Sequence, residues 1–114
     1  MKVSVGCDLV FLPKFIDSFK SGGEVLMQKL FTPYELAHTQ TYESLAGVFA
    51  VKEAFIKASQ IKLSSWHEIE VYKLSSGKPA IRCNDIETEC CDVSISHDGE
   101  YAMAVVIVQL LRCR

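Results

Sequence analysis

Apolar and polar residues alternate in the run KVSVGCDLVFL near the start of the chain. Val3, Val5, Cys7 and Leu9 fall on one side, and Ser4, Gly6 and Asp8 on the other. A period of two predicts a β-strand. Pro13 ends that strand and opens a helix over PKFIDSFKS, which Gly22 and Gly23 stop. EVLMQKLF reads as a second short helix. In FTPYEL, Thr32 suits an N-cap, Pro33 the first turn and Glu35 the third helical position, which together make a capping box. The longest helical pattern runs from about Ser44 to Gln60. SSWHEIEVYKLSSGKPAIRC predicts two strands about a turn at Ser75 to Lys78, with Pro79 as the first residue of the second strand. CDVSISHDGEYAMAVVIV predicts a hairpin turning at Asp98-Gly99. Its second arm is apolar on both faces, so it belongs in the middle of a sheet or against another subunit. No repeat or linker interrupts the pattern. The expected fold is α+β: an antiparallel β-sheet with one long helix and short helices, in a single domain over residues 1–114.

Composition narrows the function classes. Hydrophobic residues make up 49% and charged residues 23%, a globular and not a disordered balance. The formal net charge of -2 argues against a nucleic-acid partner. No apolar run reaches the roughly 20 residues that span a bilayer, so no membrane association is expected. A chain of 114 residues buries only about two-thirds of its unfolded surface, and oligomerisation would add to that. The five cysteines are odd in number, follow no signal peptide, and lack Cys-x-x-Cys or paired-histidine spacing. Reduced thiols, a cytoplasmic location and no zinc site are the expectations.

Three places carry candidate chemistry. The first is FAVKEAFIKA, Phe49 to Ala58. At about 100° per residue, Glu53 and Lys57 share a side one turn apart, crowded by Leu45, Ala46, Phe49, Ala50 and Ile56. Val51, Ala54, Phe55 and Ala58 make the opposite side apolar too, so the helix should be largely buried. On a solvated helix such a pair is worth a few tenths of a kcal/mol. In apolar surroundings an unpaired carboxylate costs several kcal/mol, and Glu53 needs a metal or charged partners. The second place is Asp8, a carboxylate in a strand. It follows Gly6, which lets a ligand or another backbone come close. Together Asp8 and Glu53 would suit Mg²⁺, which takes one or two carboxylates, phosphate oxygens and water. The third is Ser96-His97 at the end of a hairpin arm, solvated unless phosphate lies nearby.

In this order VGCDLV, FAVKEAFIKA and VSISHDGEYAMAVVIV resemble the 4′-phosphopantetheinyl transferases, and most of all their small class, the holo-acyl-carrier-protein synthases. FTPYEL and GKP stand where that family has similar segments. The resemblance implies transfer of the 4′-phosphopantetheine arm of coenzyme A to a serine of an apo acyl carrier protein, with release of adenosine 3′,5′-bisphosphate. Asp8 and Glu53 would hold Mg²⁺ on the pyrophosphate, and Lys57 would neutralise phosphate charge. Glu53 or a metal-bound water would help to deprotonate the serine. Ser96 and His97 would contact the nucleotide end of coenzyme A, with Lys78 and Pro79 near the adenine or its phosphates.

The same resemblance implies a homotrimer with sites between subunits, and an acidic carrier protein met by Lys14 and Lys20 on the helix after the first strand. It leaves open which carrier protein and pathway, fatty-acid synthesis among them, is served. Three departures stand out. Val48 occupies a position where the family commonly has Arg, so a phosphate contact would come from Lys52, Lys62 or another subunit. The turn after the long helix reads SQIKLSS and is not glycine-rich. Asp98 follows His97 where a hydroxyl residue is frequent. Val48 and Asp98 motivate an alternative: a non-catalytic relative that binds carrier protein or nucleotide.

Overall fold

The computed structural model describes residues 2–84 and 90–109. β1 (Val3–Phe11) leads into α1 (Leu12–Leu30), then α2 (Pro33–His38) and α3 (Tyr42–Ser59). A single 3₁₀ turn at Trp66–Glu68 precedes the hairpin of β2 (Ile69–Lys73) and β3 (Pro79–Cys83); β4 (Cys91–Asp98) and β5 (Tyr101–Gln109) follow. The two helices expected between Pro13 and Phe31 are both present within α1 and meet at a kink at Gly23, whose φ of 57° and ψ of -148° are not helical. Thr32 and Glu35 form the expected capping box, each side chain bonding the other's backbone N–H.

β5 is central in a three-stranded antiparallel sheet of order β1-β5-β4, which accounts for its apolar character on both faces. The β4–β5 turn lies one residue later than the sequence predicts. Asp98 pairs with Tyr101, so Gly99 and Glu100 turn the chain, and Gly99 takes the positive φ of 56°. Pro79 does open β3.

The alternation in β1 holds, yet its apolar row is the exposed one: Val5 is 64% and Leu9 61% accessible. The row of Ser4, Gly6, Asp8 and Val10 faces α3. The contact depends on Gly6, because a Cβ there would stand 2.0 Å from the Ala54 carbonyl oxygen and 2.8 Å from Ala58 N. On the same inner face Val93, Ala102, Ala104, Val106 and Val108 pack with Ala50, Val51, Ala54 and Phe55 to form the core. α3 is buried on nearly all sides, as its composition predicts.

Cys7 is an exposed free thiol. Cys90, buried just ahead of β4, is disulfide-bonded, which corrects the expectation of five reduced thiols. Spacing along the chain carries no record of which cysteines meet in space.

Candidate active site

The close seating of β1 on α3 brings three of the expected residues together. Lys57 Nζ donates to Asp8 Oδ1 at 3.2 Å and to the Cys7 carbonyl oxygen at 3.0 Å. Asp8 stands two residues beyond Gly6 on the face turned to α3. Glu53 lies one turn before Lys57. Burial pushes the Glu53 carboxyl above its ordinary pKa, the negative charge of Asp8 pushes it further, and the Lys57 ammonium opposes both. Two carboxylates from distant parts of the chain therefore share one electrostatic site.

This donor set fits a hard divalent cation. Asp8 and Glu53 supply two oxygen donors whose mutual repulsion a cation relieves. No group of three or more His, Cys, Asp or Glu side chains suited to a metal occurs among the described residues. Two carboxylates with the remaining positions open to water and phosphate is the arrangement Mg²⁺ favours.

A second set of expected residues lines a cleft of about 710 Å³ on the other flank of α3. Lys78 and Pro79 contribute from the β2–β3 hairpin, and His97 from β4. Lys78 Nζ bridges to Asp92 Oδ1 at 2.9 Å and to the Val93 carbonyl oxygen at 3.0 Å, tying the hairpin to the larger sheet. The hydrogen bonds from Lys78 and from Val93 N–H hold the Asp92 carboxyl below its ordinary pKa. His97 Nε2 lies 3.0 Å from the Glu43 carbonyl oxygen and lies against Gly47, where a Cβ would approach the ring to 3.1 Å. Strand alternation sends Ser96 to the opposite face, where it borders a shallower hollow with Leu9, Tyr101 and Met103. His97 borders both cavities.

Asp8, Glu53 and Lys57 do not line the 710 Å³ cleft. The sheet order explains this, since Asp8 is on β1 and His97 on β4, the two strands flanking β5. One chain thus carries the Asp8, Glu53 and Lys57 cluster at one edge and a cleft lined by Lys73, Lys78, Tyr34 and Tyr72 at the other.

Lys52, a candidate phosphate contact, is corrected. It has no solvent exposure, and its ammonium donates to Glu35 Oε1 at 2.5 Å, Leu30 O at 2.9 Å and Trp66 O at 3.3 Å. All three protons are committed, so it has none for a phosphate. Val48 does border the cleft, where Tyr34, Tyr72 and Lys73 join it. Sequence reasoning missed these three; the alternation of Tyr72 in EVYK was the signal that could have found it. Arg82 stacks on the Tyr72 and Tyr34 rings at 4.1 and 5.5 Å and pairs with Glu70 at 2.9 Å.

The model of the 4′-phosphopantetheinyl transferase superfamily matches residues 4–106. A holo-[acyl-carrier-protein] synthase of Geobacter sulfurreducens is 32% identical over 124 residues, spanning 96% of this chain and 98% of the relative. One from Shouchella clausii is 38% identical over 122 residues, spanning 96% and 99%. Among solved structures, an ACPS–CoA complex from Chronobacterium ammoniagenes superposes with a TM-score of 0.83 at 33% identity, covering 96% of this chain and 98% of the other. The matched span takes in Asp8, Glu53, Lys57, Lys78 and His97, and the chain belongs to the 4′-phosphopantetheinyl transferase superfamily.

Proposed function

We propose that the chain transfers the 4′-phosphopantetheine arm of coenzyme A to a serine hydroxyl of an apo acyl carrier protein and releases adenosine 3′,5′-bisphosphate. The observation that carries this reading is the meeting of Asp8, Glu53 and Lys57, in a family whose relatives are holo-[acyl-carrier-protein] synthases. Asp8 and Glu53 would hold Mg²⁺, which supplies charge neutralisation to the diphosphate when bound. Lys57 is placed to take part of the phosphate charge, and its bonds to Asp8 and the Cys7 carbonyl fix its ammonium in position. Glu53, or a water held by the cation, would accept the serine proton. Lys78, Pro79 and His97 line the wall that would face the nucleotide, with Tyr34 and Tyr72 as aromatic surfaces.

The separation of the Asp8 and Glu53 carboxylates from the cleft favours a homotrimer in which the carboxylate edge of one subunit faces the cleft of the next. Support comes from the outer face of the sheet. Val5, Leu9, Phe11, Tyr101, Met103 and Ile107 form an exposed apolar surface on paired strands. Ser96 lies on that outer side, so a neighbouring subunit would bring it to the shared site. Lys14 and Lys20 on α1 would meet the acidic carrier, although Lys20 also pairs with Asp17 at 3.3 Å. A cytoplasmic location belongs to the same proposal; no helix among the described residues is long and apolar enough to cross a membrane.

The test is incubation with Mg²⁺, coenzyme A and apo carrier protein, followed by the carrier's mass. A gain of one phosphopantetheine group is expected. Binding of coenzyme A or carrier without any gain, across several carriers, would favour the non-catalytic reading.

A further inference from the structure

A helix that is apolar on every side lacks the hydrophobic stripe that normally sets its rotation about its own axis. α3 comes close to this, with buried residues from Leu45 to Ser59 on most of its faces and a partly open side at Phe49, Glu53, Ile56 and Lys57. Its angular setting nevertheless decides where Glu53 points. Two contacts on either side of Glu53 can fix it. On one flank, Ala54 and Ala58 lie under Gly6. On the other, Lys52 is locked by its three acceptors, which belong to the end of α1, to α2 and to the 3₁₀ turn.

We propose that Lys52 is a positioning residue for the transfer reaction: its ion pair with Glu35 sets the rotation of α3 that directs the next residue, Glu53, toward Asp8. The inference rests on the metal-binding reading of Glu53. The pair is built for definition. Glu35 Oε1 also accepts from Thr32 N–H at 2.9 Å, and its Oε2 accepts from Val71 N–H at 2.7 Å. Thr32 Oγ1 in turn donates to Glu70 Oε2 at 2.7 Å, and Glu70 holds Arg82, which stacks on Tyr72. A continuous chain of directed bonds thus runs from α3 to the wall of the cleft. Burying two opposite charges adds little net stability over well-packed apolar residues, and in some proteins such pairs are retained because they specify one arrangement. A specified rotation matters most where a catalytic carboxylate follows in the sequence.

The experiment replaces both charges at once, in Lys52→Met with Glu35→Gln. Met fills the space of the lysine stem, and Gln keeps an acceptor for a backbone N–H. Folding is followed by thermal melting, kcat and KM for coenzyme A by transfer to apo carrier, and Mg²⁺ affinity by calorimetry with coenzyme A present. The double variant should fold, with kcat reduced about tenfold or more. Mg²⁺ affinity should weaken several-fold, and KM for coenzyme A should change less than kcat. A folded double variant whose kcat and Mg²⁺ affinity match the unaltered chain would overturn the proposal. Should the double variant not fold, Glu35→Gln alone is measured, with the same directions expected and the same result overturning it. Failure of both to fold would make the pair a determinant of folding alone, and would also overturn the proposal. An unaltered chain that neither binds Mg²⁺ nor transfers the arm would overturn the reading of Glu53 and this inference with it. A competent chain with an indifferent variant overturns only the inference.

Discussion

Gly6 lies directly on the backbone of Ala54, with 2.0 Å between the Ala54 carbonyl oxygen and the point where a Cβ of residue 6 would stand. No side chain of any kind fits that gap. This contact brings the edge strand onto the long helix, and it carries Asp8 to within reach of Lys57 and Glu53.

Gly6→Ala should therefore damage both stability and activity. Forcing a methyl group between strand and helix costs on the order of 3 kcal/mol. Urea unfolding of the variant should show that loss, with a fall in transfer rate larger than the unfolded fraction explains. A variant as stable and active as the unaltered chain would contradict the contact.

Glu53→Gln keeps the shape of the side chain and removes the charge. It should lower kcat by about 10²-fold or more while leaving the fold intact. Mg²⁺ should raise the melting temperature of the unaltered chain in the presence of coenzyme A and should fail to do so for the variant. An equal rise in both would remove Glu53 from the metal site.

Much of this was legible in the chain. The strand alternation, the capping box at Thr32 and Glu35, Pro79 at the head of β3 and the central place of β5 all follow from local pattern and turn chemistry. Asp8, Glu53 and Lys57 stand out because charge in apolar surroundings is costly. The function of Lys52 was not legible. A helix without a polar face does not reveal which side meets which neighbour, and Glu35 had already been explained as a cap. The exposure of Val5 and Leu9 was hidden for a related reason: alternation shows that two faces differ, and only the tertiary contact at Gly6 decides which is inside.

The ion pair of Asp92 with Lys78 gives a pH signature. The hydrogen bonds from Lys78 and Val93 N–H hold the Asp92 carboxyl below its ordinary pKa, so its folded pKa lies under its unfolded one. The stabilisation is present above the unfolded value and is lost as pH falls through the folded value. Asp92→Asn should be slightly less stable than the unaltered chain at neutral pH, and the gap should close in acid. Melting curves across that range check the sign; a gap that widens in acid would reverse it.

The outer sheet face gives a prediction about assembly. Leu9→Glu places charge in the exposed apolar row and should turn a trimer into monomers, with transfer lost although Asp8, Glu53 and Lys57 remain. Light scattering reads the mass. Glu53→Gln subunits co-refolded with subunits carrying Lys78→Ala and His97→Ala should regain part of the activity that each lacks alone. No recovery in well-formed mixed trimers would place each site within one subunit.

The central claim is that Asp8 and Glu53 bind one Mg²⁺ that serves transfer of the phosphopantetheine arm. Its most direct measurement is the mass of apo carrier protein after incubation with coenzyme A across a Mg²⁺ titration, for the unaltered chain and for Glu53→Gln side by side. The account predicts a mass gain that rises and saturates with Mg²⁺ for the first and stays at background for the second. Equal mass gain in both, or gain independent of Mg²⁺, would contradict it.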